Sequence, residues 1–328
     1  MIQKIIFRLI SPGKSAGCLS ILIFHRVLST PDPLFPDEPD VARFDLMAGW
    51  LKEWFNVLPL DVAIRRLFAG ELPSRAAAIT FDDGYADNWL NAVPILLKHD
   101  LHATFFIATG FLEGGLMWND MVIESIRGTL NPELDCSFLD LGAVAVGSTE
   151  QKQLALKRII PAVKYLPGAL RTEAVGRLAE ECHATLPDTL MLSKTQLREL
   201  RHAGMSIGAH TVSHPILARL DSATAREEIA ASRDTLSHLL GEQITLFAYP
   251  NGKLGADYLP AHAEIVRSLG FDAAVTTNRG ASSLGSDCFQ LPRFTPWDIS
   301  RWRYALRLMM NTRERDVALN PVAEYSPE

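Results

Sequence analysis

The sequence has few cysteines, no excess of basic residues and no long apolar run. Its four cysteines include no CxxC pair and no structural-zinc spacing, so we expect free thiols, with two disulfides as the alternative. Among 328 residues, 32 Lys and Arg stand against 38 Asp and Glu, and the net charge of -6 argues against a nucleic-acid-binding protein. No apolar stretch approaches the roughly 18 residues of a membrane-spanning helix and no secretory signal is evident, which favours a cytoplasmic location.

The two ends of the chain nevertheless have sequence patterns that are compatible with peripheral contact to a membrane. The N-terminal segment MIQKIIFRLI places Lys4 and Arg8 within a short apolar stretch. This pattern predicts an amphipathic element that packs on the fold or, alternatively, lies on a membrane surface. We expect residues 296–328 to form a C-terminal helical extension. Within it, Arg301–Arg315 is predicted to be a docking helix with an exposed basic face, with membrane contact again as the alternative.

Short apolar segments alternate with helical patterns along most of the chain. Seven segments are continuous and bounded by turn residues, as buried parallel strands are: Ser20–Val27, Ala76–Phe81, Ala103–Ala108, Ser206–His210, Ile244–Tyr249, Ala273–Thr277 and Phe289–Phe294. Helical patterns occur at Phe44–Phe55, Leu60–Ala69, Tyr85–His99 and Asp221–Leu240. This alternation predicts an α/β fold, either a barrel or a doubly wound sheet.

Residues 111–194 interrupt the alternation. We find no strand pattern there, whereas Gln151–Tyr165 spaces its apolar residues as an amphipathic helix does. We therefore expect a helical insertion within a single domain. That domain would span residues 1–328 and have its core at about 20–295.

Two adjacent carboxylates follow the predicted strand Ala76–Phe81. Asp82 and Asp83 must be solvated, paired or bound to a cation, because an isolated charge at the end of an apolar strand is costly to bury. Gly84 allows a sharp turn that could direct both side chains into one site. For this segment taken alone, an ordinary Asp-Gly turn is the alternative.

A histidine pair in the segment His210-Thr-Val-Ser-His214 follows another predicted strand. Histidines four residues apart lie on one face of a helical turn, where two imidazoles can reach one Zn²⁺. We expect Thr211 and Ser213 to orient the ring nitrogens. The alternative is that one histidine caps the turn while the other faces solvent.

Both polar segments come directly after a predicted parallel strand, which is where the active sites of α/β barrels form. One Asp and two His supply three protein ligands and leave a position open. That geometry is typical of catalytic rather than structural metal sites. The second Asp is then available as a base for water.

These segments resemble the motifs of the polysaccharide deacetylase family, also called the NodB-homology family or carbohydrate esterase family 4. The segment TFDDG at 80–84 is similar to its first motif, HTVSH at 210–214 to its second, and FAYPNG at 247–252 to its third. The resemblance covers Ser20 to about Thr295 apart from the insertion. It implies a deformed (β/α) barrel of about seven parallel strands.

The resemblance also implies roles for the site residues. Asp83, His210 and His214 would bind one divalent metal ion, usually Zn²⁺. Asp82 would be the base that activates water at the metal, and the backbone N–H of Asn251 would donate to the oxyanion. The implied reaction removes N-acetyl groups from an N-acetylhexosamine-containing glycan or lipid-linked sugar.

The chain departs from the family pattern in two respects. Ala248 occupies the position of the Arg that usually pairs with the catalytic carboxylate. Arg293 could supply this charge, or it could form a surface ion pair. The late histidine motif that carries the general acid is missing. The segment FHRV around His25 is similar to one in the circularly permuted branch that acts on poly-N-acetylglucosamine, which makes His25 the candidate general acid, with a buried structural imidazole as the alternative.

Aromatic residues near these motifs suggest a binding groove. Tyr85 and Trp118 could line it or serve packing only, and Met117–Asp120 could cover the site. The leading hypothesis is a metal-dependent carbohydrate N-deacetylase. The alternatives are a carbohydrate-binding protein without catalysis on the same scaffold, and a different metal-dependent amidase or deformylase.

Overall fold

Seven parallel strands form the central sheet of the protein, which a computed structural model describes over residues 2–295, 298 and 300–314. The strands in chain order are β1 (Leu19–Phe24), β2 (Asn56–Val57), β3 (Ala76–Phe81), β4 (Ala103–Ile107), β5 (Glu133–Asp135), β6 (Ala143–Ala145), β7 (Ser206–Ala209), β8 (Leu246–Ala248) and β9 (Ala273–Val275). The order in the sheet is β1-β3-β4-β7-β8-β9, and β2 pairs with the start of β3. The remaining two strands, β5 and β6, form a separate antiparallel pair.

Helices surround this sheet. In chain order they are α1 (Ile2–Ile10), α2 (Val41–Trp54), α3 (Leu60–Phe68), α4 (Val93–Lys98), α5 (Trp118–Gly128), α6 (Thr149–Lys164), α7 (Gly168–Cys182), α8 (Lys194–His202), α9 (Ser222–Leu240), α10 (Pro260–Ser268) and α11 (Arg301–Arg313). Asp221 begins α9 by accepting the backbone N–H groups of Ala223 and Thr224, and Gly241 ends it at φ 68°. Asp is favoured before the first turn of a helix, and Gly is favoured in the left-handed position that ends one.

The central strands are buried along their length. All six residues of β1 and of β3 are buried, and the two strands pair in register from Leu19–Ala76 to Phe24–Phe81. Their aromatic side chains continue into β4, since ring centroids are 5.3 Å apart between Phe24 and Phe81 and 4.8 Å apart between Phe81 and Phe105. Burial on both faces explains why these strands appear in the sequence as unbroken apolar runs.

The segment 291–294 completes a deformed barrel, as predicted. Leu291 bridges to Val275 of β9, and Phe294 bridges to Leu22 of β1. The prediction of a regular strand at Phe289–Phe294 is wrong, because Pro292 lacks an N–H and interrupts the hydrogen-bond ladder. The short strand β2, which the sequence did not indicate, is the seventh member of the sheet.

The insertion is not purely helical, which corrects the expectation for residues 111–194. Its antiparallel pair β5–β6 contains three residues per strand, too few for an alternating pattern to be recognised. This pair packs with α5, α6 and α7 around a separate cluster of buried side chains, which includes Ile126, Leu134, Val144, Ile159 and Leu178. The insertion therefore carries its own small core beside the barrel.

The predicted helix Tyr85–His99 is divided. A π-helical turn covers Asn88–Ala92, and α4 begins at Val93 with Pro94 in its first turn. A proline without an N–H cannot continue a helical ladder, so the change of helix type at this point has a local cause.

The two ends of the described chain pack against each other. Phe7 of α1 is fully buried and its ring lies 4.5 Å from that of Phe55, whereas Ile5 and Leu9 on the other side of α1 are 53% and 75% exposed. The helix α11 contacts α1 and covers the predicted segment as far as Arg313. Residues 296, 297, 299 and 315–328 of the predicted extension lie outside the described residues.

All four cysteines are free thiols, as favoured, and three of them are buried. Among the described residues, no helix combines the length and apolarity that a membrane crossing requires.

Candidate active site

Four parallel strands direct the candidate residues into one cavity of about 470 Å³. His25 follows β1, Asp82 and Asp83 follow β3, and the segment that begins at His210 follows β7. The turn containing Asn251 follows β8. Because the carboxyl ends of parallel strands meet at one edge, residues that are distant in the sequence come together here.

The backbone at three of these residues adopts the left-handed conformation that side chains normally disfavour. The φ angle is 76° at Asp83, 53° at His214 and 58° at Asn251. Beside Asn251, Gly252 has φ 71°, and a Cβ there would lie 2.7 Å from the backbone nitrogen of Thr277, so only glycine fits. Such strain persists where the surrounding structure fixes it, and it is concentrated at functional sites.

Asp83, His210 and His214 converge on one point. Asp83 Oδ1 lies 3.4 Å from His210 Nε2 and 3.3 Å from His214 Nε2, and among the described residues no donor hydrogen-bonds to this oxygen. Ligands arranged tetrahedrally at about 2.0–2.1 Å from Zn²⁺ are roughly 3.3–3.4 Å apart. These two separations match that spacing and all three ligand atoms lie within 4.8 Å of one another, so Asp83, His210 and His214 could together hold a divalent metal.

The two histidines approach each other through a loop, and the predicted helical turn is wrong. Thr211 and His214 both have positive φ angles, which a right-handed helix does not allow. The imidazole centroids are nevertheless 4.9 Å apart. Glu228 of α9 holds this loop, since its carboxylate accepts the N–H groups of Val212 and Ser213 at 2.9 Å each.

The orientation of the His210 ring depends on the neighbouring strand. Its Nδ1–H donates to the carbonyl oxygen of Ala248 at 2.7 Å, which turns Nε2 toward the carboxylates. The expectation that Thr211 and Ser213 orient ring nitrogens is therefore wrong. Thr211 Oγ1 instead accepts the backbone N–H of His214, and Ser213 Oγ donates to a carboxylate of α9.

Arg293 pairs with Asp82 in the interior of the protein. Its Nη1 and Nη2 lie 2.7 and 2.6 Å from the two oxygens of Asp82, and neither side chain is more than 3% exposed. Nε also donates to the carbonyl of Thr276, and Nη1 donates to Thr80 Oγ1. The alternative of a surface ion pair is therefore wrong, and the charge absent at Ala248 reaches Asp82 from the segment after β9.

Opposite charges determine the protonation of the two buried carboxylates. Burial by itself would raise the pKa of Asp82, but the positive charges of Arg293 and His210 outweigh burial and keep this pKa below its usual value. The pKa of Asp83 is also lowered against the effect of burial, by His214 and His210. Both carboxylates are therefore ionised at neutral pH even without a metal.

The two imidazoles respond differently to burial. Burial lowers the pKa of His214 to about 4, so this ring is neutral near pH 7. Burial acts in the same direction on His210, but the charges of Asp82 and Asp83 overcome it and raise the pKa of His210 above its usual value. A metal ion would therefore displace a proton mainly from His210.

His25 and Asn251 both line the cavity beside these groups. A protonated His25 is close enough to lower the pKa of Asp82 and of Asp83. The carbonyl of Asn251 accepts from Thr277 Oγ1 at 2.6 Å, which fixes the turn. Within the described ranges, no group accepts from the N–H of Asn251. The structure thus places both residues beside the ligands, and their catalytic roles stay predictions.

Asp120 is a cavity residue that the sequence indicated only as part of the segment Met117–Asp120, which could cover the site. It lines the cavity together with Tyr85 and Trp118, which places these two aromatic residues at the predicted groove. Asp120 is 4% exposed, and its Oδ1 accepts from the hydroxyl of Tyr85 at 2.9 Å. Burial and the nearby charge of Asp83 raise the pKa of Asp120 to about 7. A single Asp in the first turn of α5 gives no recognisable signal until the fold brings it to the cavity.

The fold and site together define a class of protein, a deformed α/β barrel with an Asp-His-His group that suits a metal at the carboxyl edge of its sheet. Residues 69–131 and 157–274 match the family model "Polysaccharide deacetylase". The chain belongs to the polysaccharide deacetylase family, which confirms the resemblance seen in its motifs.

Individual relatives agree with this assignment. The "Putative polysaccharide deacetylase YxkH" of Bacillus subtilis (strain 168) is 22% identical over 277 residues, which is 84% of this chain and 70% of that protein. The Streptococcus pyogenes deacetylase PplD, solved with acetate, has a TM-score of 0.59 at 21% identity and covers 89% of this chain and 98% of its own. IcaB from Ammonifex degensii has a TM-score of 0.57 at 19% identity and covers 90% and 97%. At these identities, the two solved structures show the shared fold.

Proposed function

We propose that the protein is a metal-dependent N-deacetylase that hydrolyses the acetamide of an N-acetylhexosamine in a glycan or a lipid-linked sugar. Membership of the polysaccharide deacetylase family supports the coarser statement, that it deacetylates a carbohydrate. The observation that carries the proposal is a cavity lined by Asp82, Asp83, His210 and His214, in which Asp82 is held by the buried Arg293 behind it. A protein that only binds carbohydrate would not need a buried ion pair beside an open ligand triad, because such pairs are costly to desolvate.

Asp83, His210 and His214 would hold the metal, and one oxygen with two imidazole nitrogens is a ligand set that suits Zn²⁺. When bound, the metal would lower the pKa of water and polarise the acetamide carbonyl.

Asp82 is the proposed general base. Arg293 keeps its carboxylate ionised near neutral pH, so the group can accept a proton from water. The two hydrogen bonds from Arg293 engage only part of the acceptor capacity of the carboxylate, which has about four lone-pair sites. Arg293 is therefore a positioning residue for Asp82.

His25 is the proposed general acid, and Asn251 the proposed oxyanion donor. His25 enters the cavity from β1, whereas the Asn251 turn enters it from β8. The proton of His25 would go to the leaving nitrogen, and the N–H of Asn251 would stabilise the charge that develops on the carbonyl oxygen. The products would be acetate and a free amino sugar.

Metal content and acetate release test this proposal together. Mass spectrometry should find about one zinc per chain in the wild type after stripping and reloading, and His214→Ala should lose it because a ligand is gone. Asp82→Asn should keep the metal but release no acetate from an N-acetylglucosamine oligosaccharide, because a base that is not a ligand has been removed.

Three results would contradict the proposal in different ways. Absence of specific metal from the wild type would refute the hydrolase mechanism and favour a carbohydrate-binding protein. Metal loss in Asp82→Asn would refute the separation of roles between Asp82 and Asp83. Metal binding with acetate release from simple amides and none from any hexosamine would favour a different amidase.

A further inference from the structure

Two helices at the ends of the described chain present an exposed apolar surface. On α1 the exposed residues are Ile2, Ile5 and Leu9, at 60%, 53% and 75%. On α11 they are Trp302, Leu306 and Met310, at 66%, 58% and 47%. We call these six residues the terminal apolar face. The spacing of three or four residues places each set on one side of its helix, and α1 and α11 contact each other.

The same helices are strongly basic. They contain no acidic residue and six basic ones, in a chain whose net charge is -6: Lys4, Arg8, Arg301, Arg303, Arg307 and Arg313. Glu53 pairs with Arg301 and Asp298 pairs with Arg307, which neutralises two of these charges. A net positive charge therefore lies beside the terminal apolar face, although the chain as a whole is acidic.

We infer that the terminal apolar face docks on the surface of an anionic lipid bilayer. Helices that lie in a membrane interface combine Trp, Leu and Ile on one side with Lys and Arg beside them, and both forces act here. Each basic residue near an anionic surface adds attraction that falls with salt, and each buried apolar side chain adds attraction that salt does not screen.

A second copy of the chain fits this surface less well. Two such faces in contact would bring the basic residues of α1 and α11 of both copies together, and like charges across an interface are repulsive. An anionic surface accepts the same charges without this repulsion. The charge distribution therefore selects the lipid surface over self-association.

Docking would leave the cavity accessible. The N–H of Arg75, just before β3, donates to the carbonyl of Ser11, which follows α1. The N–H of Ala281 donates to the carbonyl of Glu314, which follows α11, and the adjacent Ser282 bridges to Leu19 at the start of β1. Both helices thus end beside the amino edge of the sheet, opposite the carboxyl edge where the cavity lies. Vesicles should therefore not block turnover of a soluble glycan.

Co-sedimentation with vesicles tests the inference and does not depend on the proposed catalysis. The full chain should bind vesicles of 30% phosphatidylglycerol in phosphatidylcholine (about 0.1 M salt), should bind pure phosphatidylcholine much more weakly, and should be partly released at about 1 M salt. The double variant Trp302→Ser with Leu306→Ser should bind at least about tenfold more weakly. Arg8→Glu with Arg303→Glu should show a loss of similar size.

A matched control separates docking from a general loss of apolar surface. Leu154, on α6 of the insertion, is 60% exposed, so Leu154→Ser should leave vesicle binding unchanged. Unaltered melting temperatures for all variants establish that each one folds.

Three outcomes would overturn the inference. The first is no binding of the wild type to phosphatidylglycerol vesicles at low salt. The second is a wild-type dimer in sedimentation velocity that Trp302→Ser makes monomeric, without vesicle binding, since a second copy would then occupy the face. The third is vesicle binding seen only after removal of residues 315–328, which would make that segment the natural occupant.

Discussion

The ion pair between Arg293 and Asp82 yields the sharpest test of the site. Replacing Arg293 by Met removes two hydrogen bonds of 2.7 and 2.6 Å and leaves a carboxylate that is 3% exposed without its main counter-charge. Within the described part of the chain, His210 also faces this carboxylate, but its Nε2 lies farther away, 3.9 Å from Asp82 Oδ2. Removing one partner of a buried pair costs about 3–5 kcal/mol. For a chain of 328 residues, that corresponds to a fall in melting temperature of roughly 4–7 °C.

The stability lost in Arg293→Met should be larger at neutral than at acidic pH. In the wild type the folded pKa of Asp82 is below its unfolded value, so the stabilisation is present above about pH 4 and is lost only as the pH falls through the folded pKa. In Arg293→Met, burial would raise that pKa, and the deficit should be largest at pH 7 and smaller at pH 5. In the same variant, the acid limb of the pH profile of kcat/KM should shift to higher pH.

Thermal and denaturant unfolding of the metal-free protein would measure this effect. The double variant Arg293→Met with Asp82→Asn should recover about 2 kcal/mol relative to Arg293→Met, because no charge is left unpaired. Arg201→Met is a matched control, since Arg201 forms an exposed two-bond pair with Glu242 that should contribute no more than about 1 kcal/mol. The reasoning would be refuted if Arg293→Met lost equal stability at pH 5 and pH 7, or if the double variant were no more stable than Arg293→Met. The loss would then come from the packing of the aliphatic part of Arg293 alone.

Three further predictions concern other groups of the cavity. His25→Ala should lower kcat by roughly 10²–10⁴ with metal content unchanged, and unaltered turnover would return His25 to a structural role. Zinc binding near pH 7 should release a proton mainly from His210, so calorimetry of the wild type in buffers of different ionisation enthalpy should find a proton release that falls as the pH rises through the pKa of His210. Asp120→Asn should raise the free energy of unfolding of the metal-free protein more at pH 8 than at pH 5, by roughly 1–4 kcal/mol. The reason is that the pKa of Asp120 is about 7, so keeping this side chain ionised in the folded protein costs more as the pH rises. An equal gain in unfolding free energy at both pH values would contradict this.

Local sequence was sufficient for features that depend on a few adjacent residues. The six-residue run before Asp82 predicts β3 with its observed bounds, and the Asp221 and Gly241 caps predict both ends of α9. The order of such segments predicts an α/β fold, because parallel strands need helical crossovers, whereas only the family resemblance of the motifs favours a barrel over a doubly wound sheet. The motifs also named Asp83, His210 and His214, which meet because parallel strands present the residues that follow them at one edge.

Tertiary structure alone decided which distant groups meet. Arg293 and Asp82 are separated by 211 positions, and no local pattern distinguishes a buried arginine from a surface one until the segment after β9 closes the barrel. Glu228 supports the histidine loop, and Asp120 reaches the cavity, only because α9 and α5 pack where they do. A local pattern of residues indicates which helix or strand a segment forms. Which distant side chains pair depends on packing that the whole chain determines.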